Sequence, residues 1–310
     1  MSAADLWAVV VNWNGGAINV ACLRSLVESG VAAPRIVFVD NASSDGSLEE
    51  VARRFPEVRR IANERNLGFG EAANRGARLA LEERAQQVFF VNNDVTVPPE
   101  TTPRLARALC ADPAIGIVGP RVLYASEPAR VWCAGGRMTW RQNLSTLLGH
   151  RRPDGPQWRA VRAVDYVAGC AMLVRREVFE RVGFLDAAYF AYMEDVDFCL
   201  RAARAGFAVV SVGEVAAYHE PSSATGGGYS ARRKYMQGLN SIRFLRAHGG
   251  ASEWARFALY DVLTLPGLWL VGLFRGRARA ALAKGMGIAH GLAGRRVTAE
   301  RLERGGTFLW

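Results

Sequence analysis

Apolar residues in the first hundred positions come in two kinds of block. Short runs rich in Val, Ile and Phe (Trp7–Val11, Arg35–Val39, Val88–Val91) alternate with stretches whose apolar positions recur at helical spacing (Ile18–Ser29, Leu48–Phe55, Gly70–Leu81). Runs with no polar face belong to strands covered on both sides. The alternation therefore predicts an α/β class, a mainly parallel central sheet flanked by crossover helices. Residues 120–165 are irregular, with Gly135-Gly136 and Arg151–Pro156, and read as loops and short strands over the sheet's rim. Strand character returns at 164–174, a helix follows at Arg176–Val182, and another strand-like run spans Ala208–Val215. Helical patterns dominate after Gly228, so the chain divides into an α/β ligand-binding domain, 1–227, and a C-terminal helical appendage, 228–310.

In a parallel sheet, ligands bind beyond the carboxyl ends of the strands, and there this sequence turns polar at once. Asn12-Trp13-Asn14-Gly15 follows the first strand, Asp40-Asn41-Ala42-Ser43 the second, and Asn92-Asn93-Asp94 the one ending in Val91. Asp40 can accept a hydrogen bond from a base or a ribose, or it can close an Asx-turn before the next helix; the residues leave both readings open. FFVNNDV ends a strand in two amides and a carboxylate with no turn glycine, a donor set suited to Mg²⁺ or Mn²⁺ on phosphates. NLGFGEAANRG, 66–76, supplies Asn66, a turn at Gly68 and a helix carrying Asn74. It is not G-x-G-x-x-G, and no G-x-x-x-x-G-K-[ST] occurs, so neither a dinucleotide fold nor a P-loop gains support.

YFAYMEDVDFCLR, 189–201, sets Glu194, Asp195 and Asp197 in apolar company. Carboxylates so placed resist desolvation and need a cation, a proton or a helix N-terminus. A helix starting at or just before Glu194 meets that need, and Asp197 is spaced to pair with Arg201 at i,i+4. His219 closes a strand-like run just before a glycine-rich loop with Arg232, Arg233 and Lys234, a combination able to bind metal and phosphate and to fold over a substrate.

Charge and cysteine content narrow the picture. The net charge of +10 owes six units to residues 275–296, which hold Arg275, Arg277, Arg279, Lys284, Arg295 and Arg296 and no acid. Five scattered cysteines without a C-x-x-C pair suggest neither a disulfide framework nor a zinc site, and fit a reducing compartment. The N-terminus lacks a basic n-region and a long apolar core, so it is expected to be the first strand rather than a signal peptide.

The ordered set VVVNWNG, VDNASSDGS, NLGFGEAANRG, FFVNNDV, VAGCAMLVRREVFERVGFLD, YMEDVDFCLRAARAGF and YHEPSSATGGG resembles the inverting family 2 glycosyltransferases, especially their bacterial rhamnosyltransferase-like branch, over residues 6–247. The resemblance implies a GT-A fold and transfer of a sugar, with rhamnose a candidate, from a nucleoside-diphosphate sugar to a lipid-linked or oligosaccharide acceptor in cell-surface polysaccharide synthesis. It implies that Asp40 binds the base, that Asn93 and Asp94 stand at the D-x-D position, and that Asp195 is the catalytic base. Glu194 would hold the acceptor, and His219 would join Asp94 on a divalent metal, Mn²⁺ or Mg²⁺. Asn12, Asn66, Gly68, Asn74, Asn93, Arg233 and Lys234 complete the expected nucleotide-sugar site.

Two rivals of other classes are weaker. A nucleotidyltransferase would want a basic glycine-rich loop after the first strand, and NWNGG has no Lys or Arg. A nucleic-acid binder would want aromatic residues among the basic ones of 275–296, and none is there, so no nucleic-acid partner is expected. Residues 254–274 are strongly apolar but hold Asp261 and Pro266, which suits an interfacial or re-entrant element better than a span. A packed helical hairpin or a dimer interface is the other reading of the same residues. The expected location is the cytoplasm, peripheral on the inner face of the cytoplasmic membrane.

Overall fold

The computed structural model describes residues 5–220, 230–303, 307, 309 and 310. They form two compact units. The first takes Met1–Arg137, Leu147–Leu185 and Asp195–Pro221; the second takes Met138–Thr146, Asp186–Glu194 and Ser222–Trp310.

The first unit holds, in chain order, β1 (Leu6–Asn12), α1 (Ile18–Glu28), β2 (Ile36–Asp40), α2 (Ser47–Arg54), β3 (Arg59–Ala62), α3 (Phe69–Glu82), β4 (Gln87–Asn92), β5 (Val95–Thr96), α4 (Thr101–Ala111), β6 (Ile115–Tyr124) and β7 (Val131–Cys133). After the short strands β8 (Gly136–Met138) and β9 (Ser145–Leu147) come β10 (Val161–Ala163), β11 (Ala171–Arg175), α5 (Arg176–Val182), α6 (Glu194–Arg204) and β12 (Ala208–His219). The main sheet runs β10-β12-β6-β11-β4-β1-β2-β3, with β5 and β7 pairing β12 and β6. One half, β4-β1-β2-β3, is wholly parallel. Its inner strands are sealed on both faces: every residue of β2 is buried. In the other half β11 runs antiparallel to both β4 and β6.

That antiparallel strand positions the site. Because β11 runs against β4, its leading residues Gly169 and Cys170 arrive where β4 ends, and Asn92 N–H donates to Cys170 O at 2.9 Å. The strand β6 is missing from the sequence expectation, since IGIVGPRVLY contains three residues that read as breakers. Each has a structural reason. A Cβ on Gly116 would meet Phe207 and Val178, and one on Gly119 would meet Val167 and the Ala171 carbonyl. Pro120 pairs with Val212 where the β12 register shifts, so its missing N–H falls at an irregularity.

The second unit is helical: α7 (Ala231–His248), α8 (Ala251–Phe257), α9 (Leu265–Phe274), α10 (Ala278–Leu292) and α11 (Ala299–Leu302), with a π-turn at Ala258–Val262. α7 and α10 approach closely because glycines line the crossing. A Cβ on Gly238 would strike the Lys284 carbonyl, one on Gly287 the Tyr235 carbonyl, and one on Gly291 the Leu239 carbonyl.

A helix interior normally gains from Gly→Ala. At Gly76 on α3 the new Cβ would drive into Val9 on β1 and reach 3.1 Å from Val39 on β2. Gly76→Ala is therefore expected to cost about 1–3 kcal/mol of stability. A shifted urea midpoint at constant m-value checks it; an unchanged midpoint would mean that α3 can back away from the sheet.

Candidate active site

The rim of the first unit is knit together by amide side chains. Asn12, fully buried at the end of β1, donates through Nδ2 to Asp40 Oδ1 (2.8 Å) and Ser43 Oγ (3.0 Å). Its Oδ1 accepts from Gly15 N–H (3.0 Å) and from Asn93 Nδ2 (2.9 Å). Asn93 Nδ2 also donates to Asn19 Oδ1 (3.0 Å). Gly15, which the sequence placed in the polar segment after the first strand without a role of its own, has its Cα facing this cluster, and a Cβ there would run into Asn93 and Asn12. Asn41, which the sequence placed only among the polar residues after the second strand, donates to Asn66 Oδ1 (2.8 Å) and the Gly68 carbonyl (3.2 Å). It also accepts from Leu67 N–H (2.9 Å), so it fixes the turn that Gly68 makes at φ +80°.

Of the two readings of Asp40, the turn is present. Its Oδ2 accepts from Ser43 N–H at 2.9 Å while Oδ1 takes the Asn12 amide. Asn74 is buried on α3, donates to Leu185 O (2.8 Å) and accepts from Leu185 N–H (3.0 Å). Its amide pins the 185 region.

Asp94 and His219 meet because β5 pairs with the end of β12, Val95 opposite His219. His219 Nε2 lies 3.2 Å from Asp94 Oδ1, and both side chains are largely buried. Trp132 braces the imidazole edge-on, ring centroids 4.5 Å apart. Neither Asp94 Oδ1 nor His219 Nδ1 has a hydrogen-bond partner among the described residues. A carboxylate oxygen and an imidazole nitrogen that approach without hydrogen-bond geometry suit a shared cation.

Asp195 sits in the first turn of α6. Gly169 N–H donates to its Oδ2 and Val196 N–H to its Oδ1, each at 2.8 Å. Gly169, another residue absent from the sequence expectation, leaves room for this, since a Cβ would lie 3.1 Å from Asp195 Cβ. Burial raises the Asp195 carboxyl above the ordinary carboxylate range, and the backbone N–H groups only partly offset it. Asp197, two residues on, pairs with Arg201 (Nε–Oδ2 2.8 Å), and Arg201 also donates to the Val182 and Phe184 carbonyls. The neighbouring carboxylates are thus separated by environment, one tied to a cation and one held only by backbone.

Glu194, Arg233 and Lys234 belong to the second unit. Glu194 is buried at the first position of α6. Arg233 stacks 5.0 Å over the Tyr192 ring, and Lys234 Nζ donates to Gln237 Oε1 at 3.0 Å. Burial, with help from the charges of Lys284 and Arg233, brings the Lys234 ammonium down to about 8. The glycine-rich stretch expected to fold over a substrate falls within 221–229, outside the described residues.

Residues 7–183 match the sequence model of the family described as glycosyl transferase family 2. An N-acetylglucosaminyl-diphospho-decaprenol L-rhamnosyltransferase of Mycobacterium tuberculosis is 30% identical over 225 residues, 66% of this chain and 73% of that protein. A low-salt glycan biosynthesis hexosyltransferase of Haloferax volcanii is 25% identical over 96% of this chain and 94% of its own length. A mannosyltransferase from Pyrobaculum calidifontis, solved with GDP-Man and Mn²⁺, superposes with a TM-score of 0.57 at 16% identity, over 94% of this chain and 88% of that one. That likeness is one of fold, and the fold is the GT-A type expected from the order of the motifs.

Asp197→Asn keeps a hydrogen bond to Arg201 and loses the charge. It is expected to cost about 1–2 kcal/mol and to leave ligand binding at the rim unchanged. Chemical denaturation beside calorimetric titration of nucleotide checks this; lost nucleotide binding in a stable variant would contradict it.

Proposed function

Because the chain belongs to glycosyl transferase family 2, we infer that it moves a sugar, with inversion, from a nucleoside-diphosphate donor to a hydroxyl of a lipid-linked or oligosaccharide acceptor. The observation that carries this reading is Asp195: a buried carboxylate of raised proton affinity, held by two backbone N–H groups at a helix start, with its acidic neighbour Asp197 neutralised by Arg201. L-rhamnose is the proposed sugar, because the Mycobacterium tuberculosis relative carries it in its name.

In the proposed reaction the acceptor oxygen bonds to the anomeric carbon as the carbon–oxygen bond to the diphosphate breaks, and the hydroxyl proton passes to Asp195. Attack comes from the face opposite the leaving group, so the configuration inverts and no covalent enzyme intermediate is needed. Glu194 would steady the acceptor, and Arg233 and Lys234 would face phosphate. Asp40, with a lone pair left on each oxygen, would accept from the base, on a rim shaped by Asn12, Asn66, Gly68 and Asn93. Asp94 and His219 would hold Mn²⁺ or Mg²⁺, which when bound supplies positive charge against the departing diphosphate.

Asp195→Asn cannot take the proton, so transfer is expected to fall by roughly 10²–10⁴ with donor binding retained. In the unaltered enzyme the ionised form is the active one, so kcat should be lost as pH falls through a pKa above the usual aspartate value. Asp94→Ala, measured alongside, should abolish the Mn²⁺ dependence of nucleotide binding in calorimetry. An active Asp195→Asn enzyme, or metal dependence that survives Asp94→Ala, would remove the respective residue from its role.

The second unit is proposed to rest on the inner face of the cytoplasmic membrane. The helical run Ala251–Phe274 is long and apolar enough to cross a bilayer by length and composition. Its apolar side chains point outward: Leu263 is 69% exposed and Phe274 91%, with Leu259, Leu270, Val271 and Leu273 also open. The mid-run Asp261 is turned inward to an ion pair with Lys284 on α10, and Asn143 N–H donates to its other oxygen at 2.9 Å. An apolar outer face joined to exposed Arg275, Arg277 and Arg279 matches an interfacial helix on anionic lipid. Leu263→Glu with Phe274→Glu should abolish co-sedimentation with phosphatidylglycerol vesicles while the circular dichroism is unchanged. Undiminished sedimentation would sink the proposal, and a concentration-dependent dimer lost in the variant would replace it with a subunit interface.

A further inference from the structure

The turn that leads into α6 is conformationally expensive. Phe190, Tyr192 and Met193 have φ of +64°, +70° and +79°, the left-handed region that bulky L-residues avoid. None is glycine, and the next two residues are Glu194 and Asp195. Such a run persists only where its surroundings over-determine it.

In the second unit one buried side chain reaches three carbonyls of this turn, whose residues Phe190, Ala191 and Tyr192 also pack on the Tyr235 cluster. Asn240, on α7 and fully inaccessible, donates through Nδ2 to the carbonyls of Tyr189 (2.9 Å), Ala191 (2.8 Å) and Tyr192 (2.9 Å). Three acceptors converging on one nitrogen fix which way the amide points. The leading end of the turn is anchored separately. Arg243, three residues and so about one turn further along α7, pairs with Asp186 (Nη2–Oδ2 2.6 Å), and its guanidinium lies 5.4 Å from the Tyr189 ring centre. Tyr189 itself is buried.

We propose that Asn240 is a positioning residue for the reaction: by holding residues 189–193 in their left-handed path, it sets the direction from which Glu194 and Asp195 enter α6. Asn240 touches no reacting atom. The inference rests on the reading of Asp195 as the base, so Asp195→Asn is measured in the same series.

Removing the amide frees three carbonyls and lets the turn relax toward ordinary backbone angles, carrying the carboxylates with it. Asn240→Ala is expected to lower kcat by roughly 10–100-fold, the size of loss that an ångström of misplacement brings. Nucleotide affinity by calorimetry should stay within about twofold, since the rim of the first unit keeps its own bonds. Ser241→Ala, which removes a buried hydroxyl bonded within α7 to the Gln237 carbonyl, is the control for helix damage and should leave kcat unchanged. The decisive readout is rescue. Glycine takes positive φ without penalty, so adding Met193→Gly to Asn240→Ala should recover several-fold of the lost kcat, which a general packing defect in α7 would not allow.

If Asn240→Ala fails to fold, Asn240→Gln, which keeps the amide but displaces it, provides the same comparison with and without Met193→Gly. Full kcat in the Asn240 variant, a loss confined to donor affinity, or no recovery on adding Met193→Gly would each overturn the proposal. If those outcomes occur while Asp195→Asn is inactive, positioning alone has failed. An active Asp195→Asn enzyme would instead remove the base on which the inference rests.

Discussion

The rim of the first unit depends on one carboxamide. Asn12 reaches sideways from β1 to the end of β2 through Asp40, and to the end of β4 through Asn93, while its oxygen also receives Gly15 N–H. Three parallel strands stop at the same level because this group ties their ends. Buried amides left without partners are costly, so each bond in the cluster depends on the others. An apolar substitution at Asn12 would leave several polar atoms unanswered rather than one.

Around that fixed rim the chemistry is brought in by the mixed half of the sheet. The antiparallel β11 carries Gly169 to Asp195, while β12, which runs in the same sense as β4, ends in His219, and its antiparallel pairing with β5 sets that residue against Asp94. Without β11 no backbone N–H would arrive from the opposite direction to meet Asp195. The mixed half of the sheet supplies a carboxylate held by backbone and a histidine facing an acid, which a rim of amides could not.

What the sequence made legible follows from this division. The parallel half and its polar ends stood out because doubly covered strands read as unbroken apolar runs, and because FFVNNDV turns polar within one residue. The Asp197–Arg201 pair was legible from i,i+4 spacing alone, and the family was legible from the order of its motifs. The strand β6 was not, because Gly116, Gly119 and Pro120 carry packing and register information that only the neighbouring elements explain. Asn41 and Gly15 stood in the polar strand ends, but their roles were hidden for a similar reason: an amide or a glycine in a turn looks alike whether or not other side chains converge on it. The bonds of Asn74 to Leu185 were not legible, because the two lie 111 residues apart in sequence, beyond any local pattern.

The glycine seam between α7 and α10 carries a consequence for how the second unit comes apart. At Gly238, Gly287 and Gly291 backbone meets backbone and no rotamer can adjust, so at those points the helices part only by moving as wholes, and the Tyr235–His290 hydrogen bond (2.9 Å) fastens the same pair. Tyr235–Leu239 and Lys284–Ile288 are therefore expected to open together, with their amides exchanging with solvent on one clock. The apolar run hangs from α10 through Asp261, so it inherits that clock. A helix with an apolar outer face is thereby tied, through one buried ion pair, to a partner that packs by its hydrogen atoms.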